Sequence, residues 1–522
     1  MRYQGGLFTV VAALSLAGCS TTDEEPGKAP GQCSGELPLG QPCLEETRTT
    51  LEVTPGVTYT RIERGERSRE DLYTVDVAFK ADESAAEGVA NELKADGYEP
   101  RIETIAQRPP DDPGSGPLGY LVRLGPFAID AEAIQVKARL TADGYTGLRV
   151  VYTGEDGGAT TGPWVVHVLE VDPQLYKGRL APELGSGIVP ERETLTSLSK
   201  RIGSLAAINA GYFVIESENG TPGDLAGISV LDGVLVSEAV EGRTSLVLPT
   251  SSGEGAFVAA LSDTLTATSS DGATIQVDGL NRKPGLIRAC GGVGDTPTEG
   301  PKHDFTCTDE SELILFTTHF GATTEPGEGA EVALDASGLV IELRESLGGP
   351  IPPGGSVLSG TGEGVDWLHD HAQPGATLDV VTEVSSEGAP LPLVEGTGVL
   401  NGGPRLLRQG NPDITAYAEG FAWPEDPGFY YRFGVRRNPR TYAGTTPKGT
   451  LLLVAVDGRQ VGYSVGASFE ESALIMQALG AEEAVNLDGG GSTTVTLGAD
   501  RVNRTSDATG ERPIGDAIVL LP

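Results

Sequence analysis

The chain has 522 residues, a formal charge of −37, and 21% charged against 38% apolar residues. A surface this acidic repels phosphate backbones, which argues against nucleic acid as a partner, and the apolar share is too high for wholesale disorder. Its 73 glycines and 35 prolines favour strands joined by turns over a helical bundle.

At the N-terminus, Arg2 precedes a short apolar run, Leu7 to Leu16, too short to span a bilayer. The run ends in Leu16-Ala17-Gly18-Cys19, small residues followed by cysteine at a cleavage point. This resembles a bacterial lipobox. The resemblance implies removal of residues 1–18, attachment of lipid to Cys19, and a membrane partner; a plain secretory signal containing a cysteine is the alternative. In an exported chain the pairs Cys33/Cys43 and Cys290/Cys307 are expected to form local disulfides, although spacing does not fix the pairing. Residues 19–70 are expected to be a tether, its first part rich in Thr, Glu, Pro and Gly.

Residues 71–152 contain a duplication. Tyr73-Thr74-Val75 recurs as Tyr120-Leu121-Val122, and Asp96-Gly97-Tyr98 as Asp143-Gly144-Tyr145. Each half reads as a strand (Tyr73 to Phe79, Tyr120 to Phe127), an Ala-rich amphipathic helix (Ala85 to Lys94, Ala131 to Leu140), an Asp-Gly turn and another strand. Two βαβ units of this size predict a small sheet with helices on one face. The segment resembles the SPOR domain, which implies peptidoglycan as a partner and the sheet face as the glycan-binding surface.

After a Gly-rich linker, residues 163–522 read as one large domain. Strands are predicted at Trp164–Val171, Gly227–Val236, Thr244–Leu248, Leu313–Phe316, Val332–Leu334, Leu339–Leu343, Leu378–Val384, Thr450–Val456 and Ala517–Leu521. Helices are predicted at Arg192–Gly203 and Phe469–Leu479, the second capped by Ser468. The fold class that follows is α+β: a large, mostly β domain with a long sheet and few helices, preceded by the small two-βαβ domain.

Polar residues in apolar or glycine context mark the chemistry. In Val485-Asn486-Leu487-Asp488-Gly489-Gly490-Gly491-Ser492-Thr493, the alternation places Asn486 and Asp488 on one strand face, and the glycines offer close backbone approach and amides for an anion or sugar hydroxyls. A tight turn with a capping aspartate explains the same residues. Asp457-Gly458-Arg459 ends an apolar strand, and Arg436, Arg437 and Arg440 cluster nearby; guanidinium forks match phosphate oxygens, while a solvated surface patch is the plainer reading. His369 and His371 alternate, but without supporting donors they read as a surface loop. No motif calls for a cofactor, and metal binding stays open.

Asn209-Ala210-Gly211-Tyr212-Phe213, Gly402-Gly403-Pro404, Pro439-Arg440-Thr441, Val456-Asp457-Gly458-Arg459, the Asn486–Thr493 stretch, and Asn503 with Gly510-Glu511-Arg512 occur in this order. The series is similar to the phosphodiester glycosidase family, of the N-acetylglucosamine-1-phosphodiester α-N-acetylglucosaminidase type. The resemblance implies hydrolysis of a sugar-1-phosphodiester in envelope or exopolysaccharide glycans. Arginines would hold the phosphate, and carboxylates would meet the positive charge developing at the anomeric carbon. On this reading Asp457 and Asp488 are the catalytic carboxylates. Arg405, Arg440, Thr441 and Arg459, with Asn209, Tyr212, Asn486, Gly489, Gly490, Gly491, Ser492, Thr493 and Asn503, would bind the anionic substrate. A glycan-binding lipoprotein without turnover is the alternative. The charge distribution agrees with an anion site, since residues 401–459 hold eight basic and five acidic residues within an otherwise acidic chain.

Overall fold

The computed structural model describes residues 36–240, 242–248, 255–292 and 294–522. The large domain is mostly β, as expected. Its central eight-stranded sheet runs Glu46–Thr54, Val57–Arg64, Trp164–Val171, Leu451–Val456, Arg440–Thr445, Glu483–Asn486, Arg405–Arg408, Asn411–Pro412. A five-stranded sheet containing Ala206–Asn209 and Asp516–Leu521 packs against it. Leu453, Ala455, Val485 and Leu487 from the first side meet Ile208, Ile518 and Leu520 from the second. These apolar residues bury both inner faces and hold the ends of four motif-bearing strands together.

The two expected cysteine pairs stand differently. Cys290 and Cys307 are joined. Cys43 sits exposed in a turn, at a left-handed φ of 61°, and is disulfide-bonded. Its expected partner, Cys33, lies outside the described residues, as does Cys19. The Cys33–Cys43 pairing is therefore not shown among the described residues, where Cys290–Cys307 is the disulfide with both halves present.

The first two strands of that long sheet correct the tether. Residues 46–64 form a hairpin around Pro55-Gly56, and Val57–Arg64 pairs antiparallel with Trp164–Val171 from Val57↔Val171 to Arg64↔Trp164. Val57, Tyr59 and Ile62 are buried. The alternating polar residues of this stretch face outward, which hides a strand within a composition typical of linkers.

The helix at Phe469–Ala478 carries a full capping box, with Ser468 accepting from Glu471 N–H and Glu471 reaching back to Ser468 N–H. Its buried face is Phe469, Ser472, Ala473, Ile475 and Met476, and Ala478 is exposed. The predicted strand Gly227–Val236 is a hairpin, Ser229–Leu231 with Val234–Ser237, turning at Asp232-Gly233. His369 and His371 lie on a helix, Glu363–His371, rather than a loop, and pair with Glu345 and Asp271 respectively.

The small domain folds as βαββαβ. Its sheet order is Arg101–Ile105, Gly119–Phe127, Tyr73–Lys80, Arg149–Tyr152, and both helices, Glu83–Ala95 and Asp130–Ala142, lie on one face. The duplication is visible as a reciprocal pair of bonds: Tyr98 Oη donates to Asp143 (2.5 Å) and Tyr145 Oη to Asp96 (2.7 Å). Val75 and Val122 point into the helix-side core. The opposite face of the sheet, expected to be free for glycan, is covered by the large domain: Thr74, Leu121 and Arg123 are 0%, 2% and 1% exposed. Phe79 stacks on Tyr431 at 5.3 Å, and Asp111 accepts from the Tyr417 and Ala418 amides.

Candidate active site

The strands that end between the two packed sheets open into a cleft of about 270 Å³. Five arginines line it, Arg288, Arg432, Arg440, Arg459 and Arg512, against two carboxylates, Asp304 and Asp488. An excess of cations over anions in a concave, partly desolvated site is an anion receptor.

Asp488 sits just past strand Glu483–Asn486 and is fixed through its backbone: its N–H donates to Ala210 C=O (2.8 Å), and its C=O accepts from Asn209 Nδ2 (2.7 Å). Burial pushes its carboxyl up to about 6, and the Asp304 charge adds to this, while Ser492, Arg512 and the Gly489 amide pull the other way. A carboxyl titrating near 6 exchanges protons at working pH. Behind it lies a second buried acid, Asp516. Its Oδ1 accepts from Gly211 N–H (2.6 Å), its Oδ2 has no partner, and burial raises it to about 7.

Arg440 is buried and held on two sides, by Nε to Ala467 C=O (3.0 Å) and by Nη2 to Phe433 C=O, with its guanidinium over the Phe469 ring (4.4 Å). Arg459 donates through Nε and Nη2 to Asn438 Oδ1 (3.2 and 2.8 Å). Desolvation and the like charge of Arg440 push Arg459 down to about 10. Two guanidiniums thus crowd one another across the cleft, a strain that a bound anion relieves.

The glycine run works by close approach more than by free amides. A Cβ on Gly489 would lie 2.7 Å from Pro439 C=O, and one on Gly491 would strike Arg512 and Asp507. The Gly490 amide, expected to be available, donates to Pro439 C=O (2.9 Å), and Ser492 N–H to Gly489 C=O (3.2 Å).

Several residues expected to bind substrate are instead spent on building the site. Asn209 Oδ1 accepts from Thr441 Oγ1 (2.8 Å) and Thr494 N–H (3.0 Å), so Asn209 and Thr441 position Asp488 from behind. Asn486 Nδ2 donates to Tyr212 Oη (2.6 Å) and Gly403 C=O (3.0 Å), and it faces the interior, not the cleft. Tyr212 does line the cleft, with its hydroxyl donating to Gly403 C=O (2.8 Å). Arg405 is buried in the sheet and paired with Glu483. Ser492 and Thr493 are buried, Ser492 beside the Asp488 carboxyl and Thr493 with its C=O accepting from Asn503. Arg436 and Arg437 are tied to Glu155 and Glu471.

Asp457 is the principal correction. It is 0% exposed and does not line the cleft. Its carboxylate accepts from Asn503 Nδ2 (3.0 Å), Arg504 N–H (3.1 Å) and Tyr463 Oη (3.0 Å), and it shares a hydrogen bond with His167 Nε2 (3.2 Å), whose Nδ1 meets Tyr59 Oη (2.7 Å). Asn503 also holds Thr493 C=O and Val495 N–H. Asp457 therefore pins the chain after the glycine run to the long sheet, and Asn503 is its partner. Asp457→Ala is expected to strip four polar groups of their shared acceptor. It should lower stability by roughly 3–5 kcal/mol, read as an earlier thermal melt by circular dichroism.

Residues 284–309 bring groups that the motifs did not reveal. The disulfide Cys290–Cys307, Cα atoms 5.6 Å apart, closes this loop, and strands Ile287–Arg288 and Thr306–Cys307 pair beside it. The loop lays His303, Asp304 and Arg288 along the cleft, Asp304 paired with Arg288. His303 stacks on Phe421 (4.3 Å) and meets the Tyr212 ring at a tilt of 59° (4.2 Å). Burial and the neighbouring Arg243, Arg288 and Arg440 push it well below the usual imidazole range, so it is neutral. Among the described residues, one group of metal-type donors converges, Cys290, Asp295 and Cys307, and its sulfurs are joined in the disulfide.

Two family models match the chain: phosphodiester glycosidase over residues 328–521 and SPOR domain over residues 70–150. Among solved structures, a Burkholderia pseudomallei K96243 protein described as a "Putative exported protein" is 35% identical with a TM-score of 0.87, over 95% of this chain and 100% of that one. A hypothetical protein from Synechocystis shares the fold at 18% identity and a TM-score of 0.54, over 92% of this chain and 82% of that one. The zebrafish N-acetylglucosamine-1-phosphodiester α-N-acetylglucosaminidase catalytic domain is matched at 16% identity and a TM-score of 0.34, over 71% and 80% of the two chains, too distant to bear on the site. Among curated proteins none matches.

Proposed function

Since the chain belongs to the phosphodiester glycosidase family and carries a SPOR domain, we propose that it hydrolyses sugar-1-phosphodiester linkages in extracytoplasmic glycans. The observation that carries this reading is the arginine-lined cleft with Asp488 at its base, titrating at about 6. Arg440 and Arg459 hold the phosphodiester, with Arg288 and Arg512 also lining the cleft. Asp488, ionised above its pKa, meets the anomeric carbon as nucleophile or activates the attacking water. The C–O bond to phosphate breaks, and the phosphomonoester leaves as an anion stabilised by the arginines, so little protonation of the leaving oxygen is needed. Hydrolysis of an N-acetylglucosamine-1-phosphodiester in ¹⁸O-water tests it. Label in the sugar supports the glycosidase; label in the phosphate, or binding without turnover, overturns it.

The proposed setting is the cell envelope. The Leu16-Ala17-Gly18-Cys19 sequence supports lipid attachment, and similarity to a protein described as exported supports an extracytoplasmic site. Among the described residues no helix is long and apolar enough to cross a membrane. Cys19→Ala is expected to abolish incorporation of labelled fatty acid in cells. Peptidoglycan is the proposed wall partner, reached through surfaces of the SPOR domain other than its covered sheet face.

A further inference from the structure

Both arginines proposed to hold phosphate are tied to one short segment, the π-helical turn Tyr431–Val435, Arg440 having a second hold on Ala467 C=O. Arg440 donates to Phe433 C=O. Arg459 donates to Asn438 Oδ1, and the Asn438 amide in turn donates to the C=O of Arg432 (3.1 Å) and of Arg436 (3.0 Å). Arg432 and Phe433 also line the cleft. π-Turns are rare and recur at functional sites, and here the Arg432 and Phe433 carbonyls accept from the Asn438 and Arg440 side chains.

What holds the turn comes from the small domain. The Tyr431 ring lies on Phe79 of the SPOR sheet (5.3 Å, interplanar angle 24°). Its hydroxyl accepts from Arg123 Nη2 (3.2 Å) and donates to Asp156 Oδ1 (3.4 Å). Arg123, on the central strand Gly119–Phe127, is 1% exposed and also pairs with Asp76 (2.8 Å), Glu103 (3.0 Å) and Asp156 (2.7 Å). A charge buried at a domain boundary is costly to desolvate unless its donors are matched. Here three carboxylates and one phenol match it, and the phenol belongs to the turn that shapes the cleft.

We propose that Arg123 is a positioning residue of the catalytic cleft, acting through Tyr431 and the π-turn on Arg440 and Arg459. The SPOR sheet is thereby an inner wall of the enzyme, and a ligand claiming that face has to break the clamp. The proposal rests on the reading that the cleft binds a phosphodiester.

Tyr431→Phe keeps the ring on Phe79 and removes the hydroxyl; Arg123→Lys keeps a charge and removes the fork. In the full-length chain, both are expected to weaken binding of inorganic phosphate about 5-fold by calorimetry and to raise KM by a similar factor, with kcat changed less than twofold. Hydrogen exchange of residues 431–440 should quicken about 10-fold, while the melting temperature of Tyr431→Phe stays within about 2 °C. Wild-type phosphate affinity and exchange in Tyr431→Phe overturn the positioning role and leave the proposed activity standing. If the wild type itself neither turns over the phosphodiester nor binds phosphate, the activity falls, and the exchange rates alone decide the clamp.

Discussion

Replacing Asp488 by asparagine is expected to lower kcat by about 10²–10⁴-fold, the range typical of losing a positioned proton-transfer group, while the far-ultraviolet circular dichroism stays that of the wild type. The fold should survive because the backbone of this residue, not its carboxylate, ties it to Ala210 and Asn209. The pH dependence carries a sign. Burial raises the carboxyl from 3.8 to about 6, so the ionised form that attacks or activates water accumulates above pH 6. Wild-type kcat/KM should fall as pH drops through that value, and the residual rate of Asp488→Asn should be flat across it. The opposite slope would assign Asp488 as a general acid instead. Stability runs the other way. A carboxyl whose folded pKa is raised stabilises the fold most when protonated, and that contribution is lost as pH rises through about 6. The asparagine variant is therefore expected to melt no earlier than wild type at pH 8, and later if the burial penalty dominates. Such a trade of stability for function is common where a charged group is held in a partly dry site. Wild-type kcat in this variant sinks the assignment.

How much of this was legible in sequence depended on how local each feature is. The small domain was readable because its duplication repeats a strand, a helix and an Asp-Gly turn, all short-range signals; what covers its sheet was not, since Tyr431 lies 308 positions from Arg123. The Asn486 and Asp488 alternation predicted a shared face. The structure separates them because the strand stops at Asn486, and the period of two lapses where the chain turns out of the sheet. Asp457 was correctly placed at a strand end, but strand-end position does not distinguish a rim carboxylate from one met by Asn503, Arg504, Tyr463 and His167. The loop carrying Arg288, His303 and Asp304 shows no periodic pattern; the one signal was the cysteine pair that brackets His303-Asp304. The hairpin at 46–64 was hidden because its outward residues, Thr, Arg and Glu, share the composition of a tether, although Val57, Tyr59 and Ile62 contain a buried strand face.

Arg440→Lys should produce the second large loss, and it separates charge from geometry. Lysine keeps the positive charge but presents a single ammonium in place of a planar fork. In the wild type, Nε and Nη2 are committed to Ala467 and Phe433 carbonyls, and the plane is held over Phe469, so the remaining edge of the guanidinium is presented to the cleft without further ordering. A lysine's three donors radiate from one nitrogen, so they cannot span those two carbonyls and the cleft as the planar fork does, and its stem can wander. Each charge-assisted hydrogen bond to phosphate contributes roughly 1.5–3 kcal/mol, which converts to a fall in kcat/KM of about 10–150-fold. Because the same phosphate carries more charge as it departs than in the bound diester, the loss should appear in kcat as well as KM. Competitive inhibition by inorganic phosphate should weaken in parallel. If kcat falls and phosphate inhibition does not, Arg440 orients other groups rather than the anion, and the phosphate lies against Arg459, Arg288 and Arg512. If neither changes, the bond that breaks does not lie in this cleft.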